Sequence, residues 1–132
     1  MRYLIMDNIQ QAGIKKKSFE LNYNGGQIWC EHLDGMGAYA DEVVSKFIKD
    51  KSVFSRPSIS SFMIINLDQT DIIESIVDTI VTTISESDKV FRKIAFVGVN
   101  ARWHQPLSKI KKRGIAVRFL DDYEKAKEWL YA

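Results

Sequence analysis

Two histidines, His32 and His104, and one cysteine, Cys30, bound the nucleophilic and acid-base chemistry open to this chain. A serine or cysteine nucleophile with a histidine base would have to recruit one of the two. Cys30, His32 and Asp34 alternate along one predicted strand, which puts them on one face and invites a Cys-His-Asp reading. Residues two apart on a strand stand roughly 7 Å apart, too far for a nucleophile-base hydrogen bond, and such groups usually come from different elements meeting in space. Three residues also fall short of the four ligands that a structural metal site takes. The expectation is therefore satisfied structural side chains: no catalytic residue, no enzyme, no metal and no cofactor.

A phosphate cradle is the next candidate. The stretch "IAFVGVNARWHQP", Ile94 to Pro106, runs an apolar segment into a turn, but fingerprints for dinucleotides and nucleoside triphosphates need several glycines at fixed spacing, and this turn holds only Gly98. "GMG" at Gly35 to Gly37 lies between a predicted strand and a helix whose free amides could hold an anion; two glycines are equally well read as loop chemistry. Trp103 and His104 follow the C-terminal end of a strand, where open α/β sheets commonly place ligands. Gly98, Trp103 and His104 are thus the candidate small-ligand cleft, against the alternative that Trp103 packs over the rim of the sheet.

The elements that must position these residues come from an ordinary composition. The chain has 132 residues, 45% of them hydrophobic and 27% charged, which suits one domain with its own core. Nineteen basic against seventeen acidic residues give a net charge of +2, too small to argue for nucleic acid or a membrane surface. Lys15, Lys16 and Lys17 enter a predicted strand, and Lys109, Lys111, Lys112 and Arg113 close a predicted helix, where cations suit the negative end of the helix dipole. The start, "MRYLIMDNIQQ", has an apolar run of only Tyr3 to Met6, too short for a signal peptide or a membrane span. The expectation is a cytoplasmic domain over 1–132, with 1–13 as an N-terminal extension.

Phe19, Leu21 and Tyr23 alternate with polar residues as in a half-buried strand, Asn24-Gly25-Gly26 supplies a tight reversal, and Gln27 to Leu33 is the returning strand. Ala40, Val43, Val44, Phe47 and Ile48 draw the apolar face of a helix over Ala38 to Lys49, with Asp41, Glu42, Ser45, Lys46 and Lys49 on its polar side. Lys51 to Ser61 is a loop, and "FMIINL" a strand covered on both faces. Asp71 and Glu74 make a capping-box pattern before the stripe Ile72, Ile73, Ile76, Val77, Ile80, Val81 and Ile84. Phe91 to Val99 is a strand and Asn100 to Gln105 a turn, with Pro106 opening a short helix. Ile115 to Leu120 is the last strand. Asp121 and Glu124 repeat the capping-box pattern before a helix that buries Tyr123, Ala126, Trp129 and Leu130. The order β-β-α-β-α-β-α-β-α implies an α/β fold with a single mixed, mostly parallel sheet.

That succession resembles the STAS domain, the fold of the bacterial anti-sigma factor antagonists. The tail from Phe91 to Leu130 is most similar to the SpoIIAA-like, or STAS/SEC14, branch: a Lys-Ile-Ala-Val-Val-Gly type strand (here Lys93 to Gly98), a following Trp (Trp103) and a closing acidic Ala-x-x-Trp-Leu helix (Ala126 to Leu130). The resemblance covers most of residues 17–132 by topology and only the tail by motif. It implies a non-catalytic recognition module in which a serine beside the second helix is phosphorylated and the added charge breaks a protein complex. This chain departs from that pattern, since "INLDQTDIIES" lacks the Asp-Ser-Ser-Gly signature and has a shorter connection.

The function implied is recognition of a protein partner through Asn66, Asp68, Gln69, Thr70 and Asp71, with Thr70 and Ser75 as candidate phosphorylation sites. Their plainer readings are a loop or capping residue for Thr70 and a solvent-facing one for Ser75. The alternative is a small ligand, a lipid or a nucleotide, in the cleft near Trp103; a second copy of the chain as a homodimer partner stays open beside both.

Overall fold

The computed structural model describes residues 16–132. The expected extension over 1–13, with its Tyr3 to Met6 run, and Lys15 lie outside the described residues. β1 (Phe19–Tyr23) and β2 (Gly26–His32) form an antiparallel hairpin. Asn24 and Gly25 turn it with φ of 50° and 81°, the left-handed pair that a two-residue reversal between twisted strands requires. There follow α1 (Ala40–Phe54), β3 (Phe62–Asn66), α2 (Glu74–Ser85) and β4 (Lys93–Val97). A helical stretch then joins a 3-10 turn (Ala101–Trp103), α3 (His104–Leu107) and a second 3-10 turn (Ser108–Arg113), before β5 (Ala116–Leu120) and α4 (Tyr123–Leu130). The five strands stand side by side in chain order, and all neighbours after the first pair are parallel. The chain is thus α/β, with one mixed, mostly parallel sheet in the expected element order.

Alternation along the strands divides the core in two. Met63, Ile65, Ile94 and Phe96 face α1, α2 and the 101–113 stretch, whose Val43, Phe47, Ile76, Ile80, Leu107 and Ile110 meet them. Ile64 and Ala95, paired across β3 and β4, face the other way and are covered by Ala126 and Leu130 of α4. Strands buried on both sides have no polar face to show, which is why they read as apolar runs. Among the described residues no helix is long and apolar enough to cross a membrane.

Several boundaries differ from expectation for local reasons. α1 runs on to Phe54 instead of ending at Lys49, because Phe54, one heptad after Phe47, continues its buried face and packs on Phe47, Trp29 and Phe91. Lys46, placed on the polar side, is only 8% exposed. Ile48, placed on the apolar side, is exposed, as is Ile73. The Asp71–Glu74 capping box does not form: α2 starts at Glu74 after an extended Ile73, and the Asp71 amide bonds to the Gly37 carbonyl at 2.9 Å. The α4 cap is Asp122 rather than Asp121, and its carboxylate accepts from the Lys125 amide at 2.8 Å. β4 is confined to Lys93–Val97, and the expected turn after Asn100 is already helical from Ala101, so Pro106 is the third residue of α3. That place is still in the first turn, where a missing N–H costs nothing.

Three cations bind backbone carbonyls far along the chain. Lys89 Nζ donates to Phe54, Arg56, Ile59 and Ser60 oxygens at 2.8, 3.0, 2.7 and 3.2 Å, holding the loop between α1 and β3. Lys93 Nζ reaches Trp129 and Leu130 carbonyls at the end of α4. Arg113, assigned from its spacing to the end of its own helix, instead donates to Ile84, Ser85 and Ser87 oxygens and closes the C-terminus of α2. Orphan carbonyls in a last turn need such donors.

Candidate functional site

The loops leaving the C-terminal ends of β2, β3 and β4 continue to pair beyond the strands. Leu33, Gly35 and Gly37 amides donate to Asn66, Asp68 and Gln69 carbonyls at 2.9, 2.8 and 3.0 Å, and the Leu67 amide to the Val97 carbonyl at 2.9 Å. Thr70 locks the arrangement: its Oγ1 donates to the Leu33 carbonyl at 2.6 Å and accepts from the Met36 amide at 3.1 Å. Gly98, at φ 77°, lies so close beneath the loop that a Cβ there would sit 2.5 Å from the Asp68 Cα. Only glycine combines that backbone angle with that approach.

This rim brings the five residues read as a partner surface onto one loop but does not expose them equally. Asp68, Gln69 and Asp71 are exposed. Asn66 is 9% exposed, and its Oδ1 accepts from the Asp68 amide at 3.0 Å, so it shapes the loop from below. Thr70 spends both donor and acceptor inside the rim. Ser75, in the first turn of α2, is exposed.

The three residues of the candidate cleft are not brought together. Trp103 borders a cavity of about 340 Å³ with Ile72, Ile73, Glu74 and Arg102, the Arg102 guanidinium standing 4.9 Å over its ring. His104 turns away, stacked 4.0 Å from Phe119 and bonded through Nε2 to the Val99 carbonyl at 2.9 Å. Gly98 is taken up by its contact with Asp68.

His32 and Asp34 do meet, against the expectation from strand spacing: Nδ1 lies 2.8 Å from Oδ1. β2 ends at His32, so Asp34 sits on a turn that Gly35, at φ 70°, bends back. The imidazole is stacked between Phe19 and Tyr123, 5.7 Å from each. Burial alone would raise the Asp34 carboxyl, but bonds from His32 and from Lys16 Nζ at 2.6 Å outweigh it and hold it at about 2. Cys30 stays apart from the pair: it is wholly buried, its Sγ lies 3.9 Å from the Ile28 carbonyl, and burial pushes the thiol above its ordinary range. A buried thiol held protonated is a poor nucleophile. Among the described residues no cluster of three His, Cys, Asp or Glu could hold a metal ion.

A second polar group went unread in the sequence. Glu31 is wholly buried beneath α1; Trp29 Nε1 donates to its Oε1 at 2.9 Å. Burial first, and then the neighbouring Asp50 carboxylate, raise the Glu31 carboxyl to about 9, so that it stays protonated at neutral pH; among the described residues its Oε2 has no hydrogen-bond partner. Asp50 in turn accepts from Lys46 Nζ at 2.8 Å and from Ser18 Oγ at 2.9 Å, and sits below the usual carboxylate range because these bonds and the protonated Glu31 beside it together exceed its own burial cost. The signal was the alternation of Trp29, Glu31 and Leu33, which points an acid inward between two apolar residues. Compared with protein-family models, with curated proteins and with solved structures, the chain matches none of them.

Proposed function

We propose that this chain is a non-catalytic recognition domain of STAS-like build that binds a protein partner through the rim around the start of α2. The observation that carries the reading is the Thr70-locked loop, which holds Asp68, Gln69 and Asp71 out to solvent. Tyr39, 38% exposed, and Ile73, 47% exposed, each follow by two residues one end of the Gly37–Asp71 bond. Exposed apolar side chains set among polar ones on a fixed backbone are what a modest protein interface needs. Ser75 is the better placed of the two hydroxyls for a phospho-switch, because the Thr70 hydroxyl is engaged. A phosphate there would add about −1.5 to −2 charge to a surface already carrying Asp68, Asp71 and Glu74.

The test is affinity capture from the native host with the full chain and with an Asp68→Ala, Ile73→Asp variant of unchanged melting temperature. A discrete partner held by the first and lost by the second supports the surface; equal recovery by both removes it. The second reading, a lipid or nucleotide near Trp103, has the 340 Å³ cavity in its favour. A tryptophan fluorescence response to such ligands that disappears in Trp103→Phe would replace the first reading with the second.

A further inference from the structure

We propose that the chain carries a separate binding site for a small organic anion with a flat apolar body, in the cavity between the chain entering β1 and the flank of α1. The cavity measures about 600 Å³, within the range of pockets that hold small ligands. Trp29 of β2 and Val53 of α1 give it apolar wall, and among the described residues Lys16, Lys17, Lys46 and Lys49 stand around it against one carboxylate, Asp50.

The charges do not cancel. Lys16 is paired with Asp34 at 2.6 Å and Lys46 with Asp50 at 2.8 Å, whereas Lys17 and Lys49 are exposed and, among the described residues, have no ion-pair partner. Glu31, behind Trp29 and Asp50, is protonated at neutral pH and adds no negative charge. Lys46 supplies the inner contact: its ammonium is nearly buried, and bonds to Ser18 at 2.7 Å and to Asp50 use two of its three protons. Among the described residues nothing takes the third donor, which sits on a cation that side-chain entropy no longer penalises. Trp29 is held by its bond to Glu31, so its indole forms a fixed wall for a planar group. An inorganic anion would leave that wall unused, and a neutral aromatic would leave the lysines unused. The site lies on β2 and the second half of α1, so its failure would leave the rim around α2 untouched, and the reverse.

The experiment is an amide-resolved NMR titration of the full chain with 1-naphthoate, with 1-naphthamide as its uncharged counterpart and with inorganic phosphate, repeated on Lys17→Met, Lys49→Met. Shifts should be confined to Lys17–Phe19, the Trp29 indole N–H and Ser45–Val53. Naphthamide and phosphate should each bind at least about tenfold more weakly, and the double variant, with unchanged melting temperature, should lose about tenfold in naphthoate affinity, the worth of one charge-assisted contact. No shift at millimolar naphthoate, equal binding of naphthamide, an unaffected double variant or shifts centred on Trp103 would each overturn the site.

Discussion

The hydroxyl of Thr70 joins the two loops of the rim, 2.6 Å from the Leu33 carbonyl and 3.1 Å from the Met36 amide. Around it the backbones of 33–37 and 66–71 exchange hydrogen bonds, so the loop that carries Asp68 and Gln69 is positioned by one side chain as much as by the sheet. Thr70→Val keeps the shape and removes both bonds, leaving a half-buried carbonyl and amide without their partner. The expected cost is about 1–3 kcal/mol in urea unfolding. Thr70→Ser, which keeps the oxygen, should recover most of it. Equal stability of all three proteins would mean that the hydroxyl contributes nothing to the rim.

Where local periodicity decides structure, the sequence was readable. The Asn24-Gly25 reversal, the stripe of α2 through Ile76, Ile80 and Ile84, and the two-faced runs of β3 and β4 each follow from spacing alone. The losses have a common physical cause, which is that spacing names a face but not its partner. Lys46 sits at a polar position of α1 yet is buried because Asp50 and Ser18 lie there to receive it. Ile73 belongs to the stripe by period, but the chain is still extended at that point, bound to the β2 exit loop, and the side chain is left in solvent. Arg113 serves a helix that ended well before it in the chain. At the rim, the split between exposed Asp68 and buried Asn66, and the separation of Trp103 from His104, depend on contacts that no local pattern encodes.

Lys89 tests such a distant contact. Its ammonium meets four carbonyl oxygens of the 54–60 loop and stands 5.1 Å from the Phe91 ring, acting as a fixed cation in a cage of backbone dipoles. Lys89→Met keeps the apolar stem and removes the charge, and should cost about 2 kcal/mol in urea unfolding, with faster amide exchange at Ile59 and Ser60. Lys89→Arg should not restore the loss, because a planar guanidinium cannot converge on four oxygens as a compact ammonium does. Full stability in Lys89→Met would show that water satisfies those carbonyls as well as the lysine.

The Glu31–Asp50 pair sets a pH dependence of definite sign. Glu31 releases its proton near 4.5 when unfolded and at about 9 when folded, raised first by burial and then by the Asp50 carboxylate beside it. Between those values the folded chain holds a proton that the unfolded chain has lost, so stability falls as pH rises, by at most about 1.4 kcal/mol per pH unit. Asp50 is shifted the other way; its contribution is complete above its ordinary 3.8 and is lost only in more acid solution, so it does not offset the slope in this window. Glu31→Gln keeps the shape of the side chain and an oxygen to accept from Trp29, and removes the titration. The variant should be more stable than the parent by at least about 1 kcal/mol at pH 8, and the gap should close towards pH 5, as followed by urea unfolding at several pH values. Parallel stability curves across that range would show that Glu31 ionises alike in both states.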